Sequence, residues 1–165
     1  MCKKIIACLT MLTIFALTGC NKAKTKDIPA ETVVPIAENA TEEDIEEQLG
    51  NSTNTEKNKD SGITADNYEN SKFAGYNGQI SFYYDEDGSV LYYKWFITEK
   101  NEKKAKEIYS DVCEALAGSY GDGEENNSAA SGLYTTSFTN EEQQITAQMQ
   151  KANDNGYEIS YMVVG

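Results

Sequence analysis

The chain contains no arginine and no histidine, and only two prolines, Pro29 and Pro35, in 165 residues. The missing histidine excludes Ser/His/Asp and Cys/His catalysis, an imidazole proton shuttle near neutral pH, and His-ligated zinc. The missing arginine removes the planar fork that clamps phosphate or carboxylate through two parallel hydrogen bonds. All 14 basic residues are lysine, opposed by 27 acids, for a formal net charge of -13. A polyanion would be repelled along most of this length, so no nucleic acid is expected as a partner. Aromatic residues are also scarce in the first part of the chain. Apart from Phe15 and Tyr68, every Tyr, Phe and Trp lies from Phe73 onward, which places the expected core at the C-terminal end.

The front of the chain carries its longest apolar run. Met1-Cys2-Lys3-Lys4 is a short positive segment, and Ile5 to Ala16 is an apolar stretch of the length a secretory signal uses, shorter than the ~20 residues of a membrane-spanning helix. It ends in Leu17-Thr18-Gly19-Cys20. This tetrapeptide resembles the lipobox of bacterial lipoproteins. The resemblance covers residues 1–20 and implies that a signal peptide, residues 1–19, is removed. Cys20 would then become the N-terminus and hold the chain to a membrane through diacylglyceryl, on its extracytoplasmic face. Two acyl chains anchor stably where one is marginal. Cys2 and Cys8 would leave with the signal, so Cys113 is the one remaining free thiol and no structural disulfide is expected.

Residues 20–72 read as an acidic, disordered tether, too poor in apolar side chains to repay ordering, with a span of about 40 Å. Inside it Thr41 could cap a short helix, with Asp44 at the third position, Ile45 and Leu49 on one side and Gly50 as the stop. Two like-charged turns are unstable alone, and the reading favoured is a solvated acidic run.

Residues 73–165 read as one small α+β domain. Gln79–Tyr84 and Val90–Ile97 flank Asp85-Glu86-Asp87-Gly88 as a hairpin. Ala105, Ile108, Tyr109, Val112, Cys113, Leu116 and Tyr120 recur at spacings of three and four, the stripe of an amphipathic helix capped by Thr98 and stopped by Gly121. Leu133–Thr139, the alternating Ile145, Ala147 and Met149, and the run after Asn155-Gly156 give three more strands. The expected order is β-β-α-β-β-β, an antiparallel sheet of about five strands with one helix packed on one face.

Asp85, Asp87 and Gly88 read as a turn, since a calcium loop needs a flanking helix on each side. Asp111, Glu114, Asp122, Glu124 and Glu125 read as solvated acids. With Leu91, Tyr93, Trp95 and Ile97 facing the helix, Val90 and the candidate binding residues Tyr83, Tyr92, Lys94 and Phe96 face outward, joined by Thr146 and Gln148. No metal, cofactor or catalytic residue is expected. The expected function is a non-enzymatic binding module of the cell envelope, with an envelope protein or a cell-wall glycan as partner. The alternative is a small carboxylate-dependent glycan hydrolase.

Overall fold

The computed structural model describes residues 26–27, 40–59, 61–128, 131–139, 143–152 and 156–164. The expected signal peptide, Leu17, Thr18, Gly19 and Cys20 lie outside the described residues, as do Asn140 to Glu142 and Asn155. The elements in chain order are β1 (Lys26–Asp27), α1 (Glu42–Leu49), β2 (Asn54–Lys57), β3 (Thr64–Phe73), β4 (Tyr76–Tyr84), β5 (Val90–Glu99), α2 (Glu102–Tyr120), β6 (Glu124–Ser128), β7 (Leu133–Thr139), β8 (Gln144–Lys151) and β9 (Tyr157–Val164). One sheet runs β2-β3-β4-β5-β9-β8-β7-β6, antiparallel throughout, and the two-residue β1 joins the free edge of β3 in parallel, next to β2.

Among the described residues the protein is therefore mostly sheet, with eight antiparallel strands and two helices, and the expected five-stranded α+β domain is wrong. The physical reason lies in the added strands. β2 (NTEK) and β6 (EENNS) are exposed at every residue; such edge strands are held by backbone pairing, which an apolar period cannot report. β3 buries Asp66, Tyr68, Ser71 and Phe73, but its register shifts between Tyr68 and Ser71, where Asn70 adopts φ 58°. This bulge breaks the alternation, and half the buried residues are polar. The boundary at residue 73 consequently cuts through ordered structure.

α1 is the second correction. Thr41 and Asp44 form a reciprocal capping box, with the Thr41 backbone N–H donating to the Asp44 carboxylate at 2.8 Å, and Gly50 ends the helix at φ 80°. Isolated, these eight residues would not hold. Ile45, fully buried in the common core, supplies the tertiary contact. The preceding chain is also stitched to the β4–β5 turn, with Val90 N–H donating to the Ala40 carbonyl at 3.0 Å.

The cap of α2 is Asn101, whose side chain accepts from the Lys104 backbone N–H at 3.0 Å, and not Thr98, because β5 continues to Glu99. Glu102 pairs with Lys106 at 2.8 Å as its spacing requires, while Glu99 pairs with Lys104 at 3.0 Å and not with Lys103. Ala105, Ile108, Val112 and Leu116 bury the helix stripe over the central strands.

Beneath the helices runs a chain of aromatic contacts: Tyr68 on Phe82, Phe82 on Tyr93, Tyr93 on Tyr161, Tyr161 on Trp95, with Phe73 4.5 Å from Tyr161 between ring centroids. Tyr68, Tyr84, Tyr93 and Tyr161 bury hydroxyls that have no protein hydrogen-bond partner among the described residues. Burial holds all four phenols above their ordinary range, Tyr68 up to about 12. For such a group stability is full below the unfolded value near 10 and falls as pH rises beyond it. Tyr161→Phe is expected to match or exceed the wild type at neutral pH and to stay folded to higher pH in an alkaline titration followed by circular dichroism. A loss above about 1 kcal/mol at neutral pH would mean that the hydroxyl has a partner. In the same assay Ile45→Ala should cost about 2–5 kcal/mol if α1 belongs to the core.

Candidate binding face

The two helices bury one face of the sheet, and alternation sends every second side chain to the other. Cross-strand pairing aligns this second face as Glu56, Ala65, Tyr83, Tyr92 and Val164 in one row, with Asn67, Ser81, Lys94, Met162 and Thr146 in the next. Tyr83, Tyr92, Lys94 and Phe96 thus share one face. Leu91 departs from expectation. The register of β4 on β5 shifts beside Tyr84, so Val90 pairs with Tyr84 and packs on the core while Leu91 is left unpaired and 39% exposed.

Tyr83 and Tyr92 stack across the strands, with ring centroids 4.3 Å apart and planes 17° from parallel. Partial burial, then the neighbouring Tyr83, raises the Tyr92 phenol. Lys94 is not a bare cation. Its ammonium donates to Glu158 at 2.7 Å and lies 5.3 Å from the centre of the Phe96 ring. Toward β3 the surface turns polar: Ser81 Oγ donates to Asn67 Oδ1 at 2.6 Å, and Gln79 Nε2 donates to the same oxygen at 3.0 Å.

Two grooves meet at Tyr83. One, about 300 Å³, is lined by Asn54, Asn67, Glu69, Gln79, Ser81 and Phe96; the other, about 410 Å³, by Lys57, Asn58, Ser61, Ile63 and Tyr92, with Glu56, Ala65 and Tyr83 common to both. One wall comes from β2 and β3, which the sequence reading placed in the tether. It therefore missed Asn54, Glu56, Asn67 and Glu69. The only local signals there are Tyr68 and Phe73, five residues apart and out of phase because of the bulge.

A larger cleft of about 520 Å³ lies on the opposite side, between α2 and β6–β7, and includes Tyr109, Cys113, Glu114, Asp122, Glu125 and Phe138. Cys113, on the α2 stripe, is half-buried. Burial raises its thiol above the ordinary range, which keeps it protonated and unreactive. The Tyr109 and Thr136 hydroxyls close the floor at 2.8 Å. With no exposed aromatic stack and an acidic rim, this cleft offers less for recognition than the smaller grooves. Asp85 accepts from the backbone N–H of Asp87 and of Ser89, at 3.0 and 2.9 Å, the bonding of a turn. Among the described residues, no group of three or more acidic or Cys side chains is placed to hold a metal, and no helix is long and apolar enough to cross a membrane.

No protein-family model and no curated protein matches the chain. Among solved structures it is similar to a DUF4309 family protein (YjgB) from Bacillus subtilis subsp. subtilis str. 168, at 12% identity over 76% of this chain and 79% of that one, with a TM-score of 0.44. At that level the likeness carries no inference about site or activity.

The facing of β5 has a direct test in urea unfolding. Replacing Tyr92 and Phe96 together by Ser should cost little stability, whereas Trp95→Ala, which empties a fully buried site, should cost roughly 3–5 kcal/mol. The reverse ranking would invert the two faces.

Proposed function

We propose that this protein is a lipid-anchored, extracytoplasmic binding module, held to the membrane through Cys20, whose open sheet face takes an extended glycan of the cell envelope. The observation that supports it is the Tyr83–Tyr92 stack beside the Asn67 and Gln79 amides, which the buried Ser81 braces. Sugar rings present C–H faces, which pack on aromatic rings, and rims of hydroxyls, which pair with amides and other hydroxyls. Stacked tyrosines supply large contact area with little side-chain freedom to lose. A shallow groove beside an aromatic ridge suits a chain lying along it better than a small molecule enclosed by it.

The anchoring half rests on Leu17-Thr18-Gly19-Cys20 after an apolar segment. Catalysis has no part in this reading, although Glu56 and Glu69 both border the first groove, which gives the hydrolase alternative its one point of purchase.

Titration of the soluble chain with muramidase-digested peptidoglycan should give saturable binding, weakened at least about tenfold by Tyr83→Ser with Tyr92→Ser, as for a pair of interface anchors worth 1–2 kcal/mol each. The fragments should be recovered uncut. Binding indifferent to both tyrosines would reject the site, and cleavage lost in Glu56→Gln or Glu69→Gln would establish the hydrolase instead. Independently, intact mass of the protein from bacterial membranes should show a diacylated Cys20 that Cys20→Ser abolishes. An unmodified Cys20 would overturn the anchor.

A further inference from the structure

Strand β1 pairs Lys26 with Ser71 and Asp27 with Lys72, and this pairing places the membrane if Cys20 carries lipid. Lys26 is six positions after Cys20, and a chain that short reaches at most about 20 Å. Ser71 and Lys72 lie at one end of the sheet, the end of the β3–β4 turn, where β5 finishes, α2 begins and β8 meets β9 through Lys151 and Tyr157. The opposite end, with the Asp85–Gly88 turn, lies a ten-residue strand away, about 33 Å. The first end is therefore the nearer to the anchor.

Charge divides the same way. Of the ten lysines among the described residues, Lys72, Lys100, Lys103, Lys104, Lys106 and Lys151 sit at the β1 end, beside Lys26 of β1 itself. Lys94 is spent on Glu158, and only Lys57 and Lys59 remain for the far end. At the near end Glu99, Glu102 and Glu107 are paired with Lys104, Lys106 and Lys103, and Asp27 and Glu69 lie there too, which leaves a small excess of lysine; the side chain of Lys103 is 88% exposed and Lys100 and Lys151 are exposed. The far end collects Glu42, Glu43 and Asp44 of α1 with Asp85, Glu86 and Asp87.

We infer that the lysine-bearing end, marked by Lys100, Lys103 and Lys151, docks on an anionic lipid surface, and that the acidic end points away from it. The inference rests on the lipid anchor proposed above and replaces the free 40 Å tether with a fixed orientation. Lysines near an anionic surface are drawn to it, while the acidic end is repelled. The groove at Tyr83 lies level with Glu56 and Tyr92, toward the far end, so docking would hold it clear of the headgroups.

The native lysines report the outcome. In the chain from Cys20 with Cys113→Ala, the single thiol can be coupled to a diacyl maleimide and the protein placed on vesicles of phosphatidylcholine with about 30% phosphatidylglycerol. Brief amine labelling read by mass spectrometry should then show Lys100, Lys103 and Lys151 protected about threefold or more over the same protein on phosphatidylcholine alone, with Lys57 and Lys59 unchanged. Lys100→Glu, Lys103→Glu and Lys151→Glu together should remove orientation, seen as equal labelling of Lys104 and Lys106 on both vesicle types. Protection of Lys57 and Lys59, or no difference between the vesicles, would overturn the inference. Because the lipid is attached chemically, neither result bears on whether cells lipidate Cys20, which the intact mass decides separately.

Discussion

Trp95 lies in one of the two central strands, and its indole N–H crosses β4 to donate to the Ser71 carbonyl of β3 at 3.0 Å. That bond spans three strands, and it exists because β4 has Gly78 at the crossing. A Cβ there would come within 2.6 Å of both the indole ring and the Phe96 carbonyl, a distance no packing adjustment of a central tryptophan could relieve. The indole stacks on Tyr161 of β9 and touches Phe73 from the end of β3. Strands far apart in sequence are thus fixed to one another around a single side chain, and the helices close over the result.

The one-sidedness of the protein follows from that packing. Once α1 and α2 cover the aromatic cluster, the described residues supply no second layer for the opposite face, where Tyr83, Tyr92 and Lys94 stay part-exposed and Ser81 and Ser160 are buried by their neighbours. Its rows are accordingly built of Asn, Gln, Ser, Thr and ion-paired Lys94, with Tyr83, Tyr92, Phe96 and Met162 set among them. Edge strands manage exposure by charge. β6 carries Glu124 and Glu125, and β2 carries Glu56 and Lys57, which discourages pairing with further strands. β1 covers part of the remaining β3 edge and at the same time ties the proposed lipid anchor to one end of the sheet.

The parts of the fold legible in the sequence are those whose side chains carry the signal. The α2 stripe, the Asp85–Gly88 hairpin and the alternation of β8 and β9 all report burial directly. So does the facing of Tyr83, Tyr92, Lys94 and Phe96. What stayed hidden is held by other means. β2 and β6 are fixed by backbone pairing and by polar contacts such as Thr55 to Asp66 and Thr135 to the Asn126 carbonyl, β3 by pairing around a bulge that puts Asp66 and Ser71 in the interior, and α1 by an isoleucine whose burial depends on strands that follow it. At the site, the aromatic ridge was readable and the polar wall was not, because Asn54, Glu56 and Asn67 acquire their place only once β2 and β3 pair. The exposed Leu91 was misjudged for the same kind of reason, since a bulge shifts a residue to the other face without changing the local composition.

After removal of a signal ending at Gly19 the chain would contain two methionines, Met149 and Met162. They sit on adjacent strands and opposite faces, Met149 fully buried under α2 and Met162 36% exposed beside Lys94. Methyl NMR on the soluble chain therefore reads each face through one resonance. With a soluble gadolinium chelate, and then with peptidoglycan fragments, the Met162 methyl should broaden and then shift while Met149 is unaffected by either. If Met149 responds and Met162 does not, or if the fragments move neither, the open face is not the working surface of this protein.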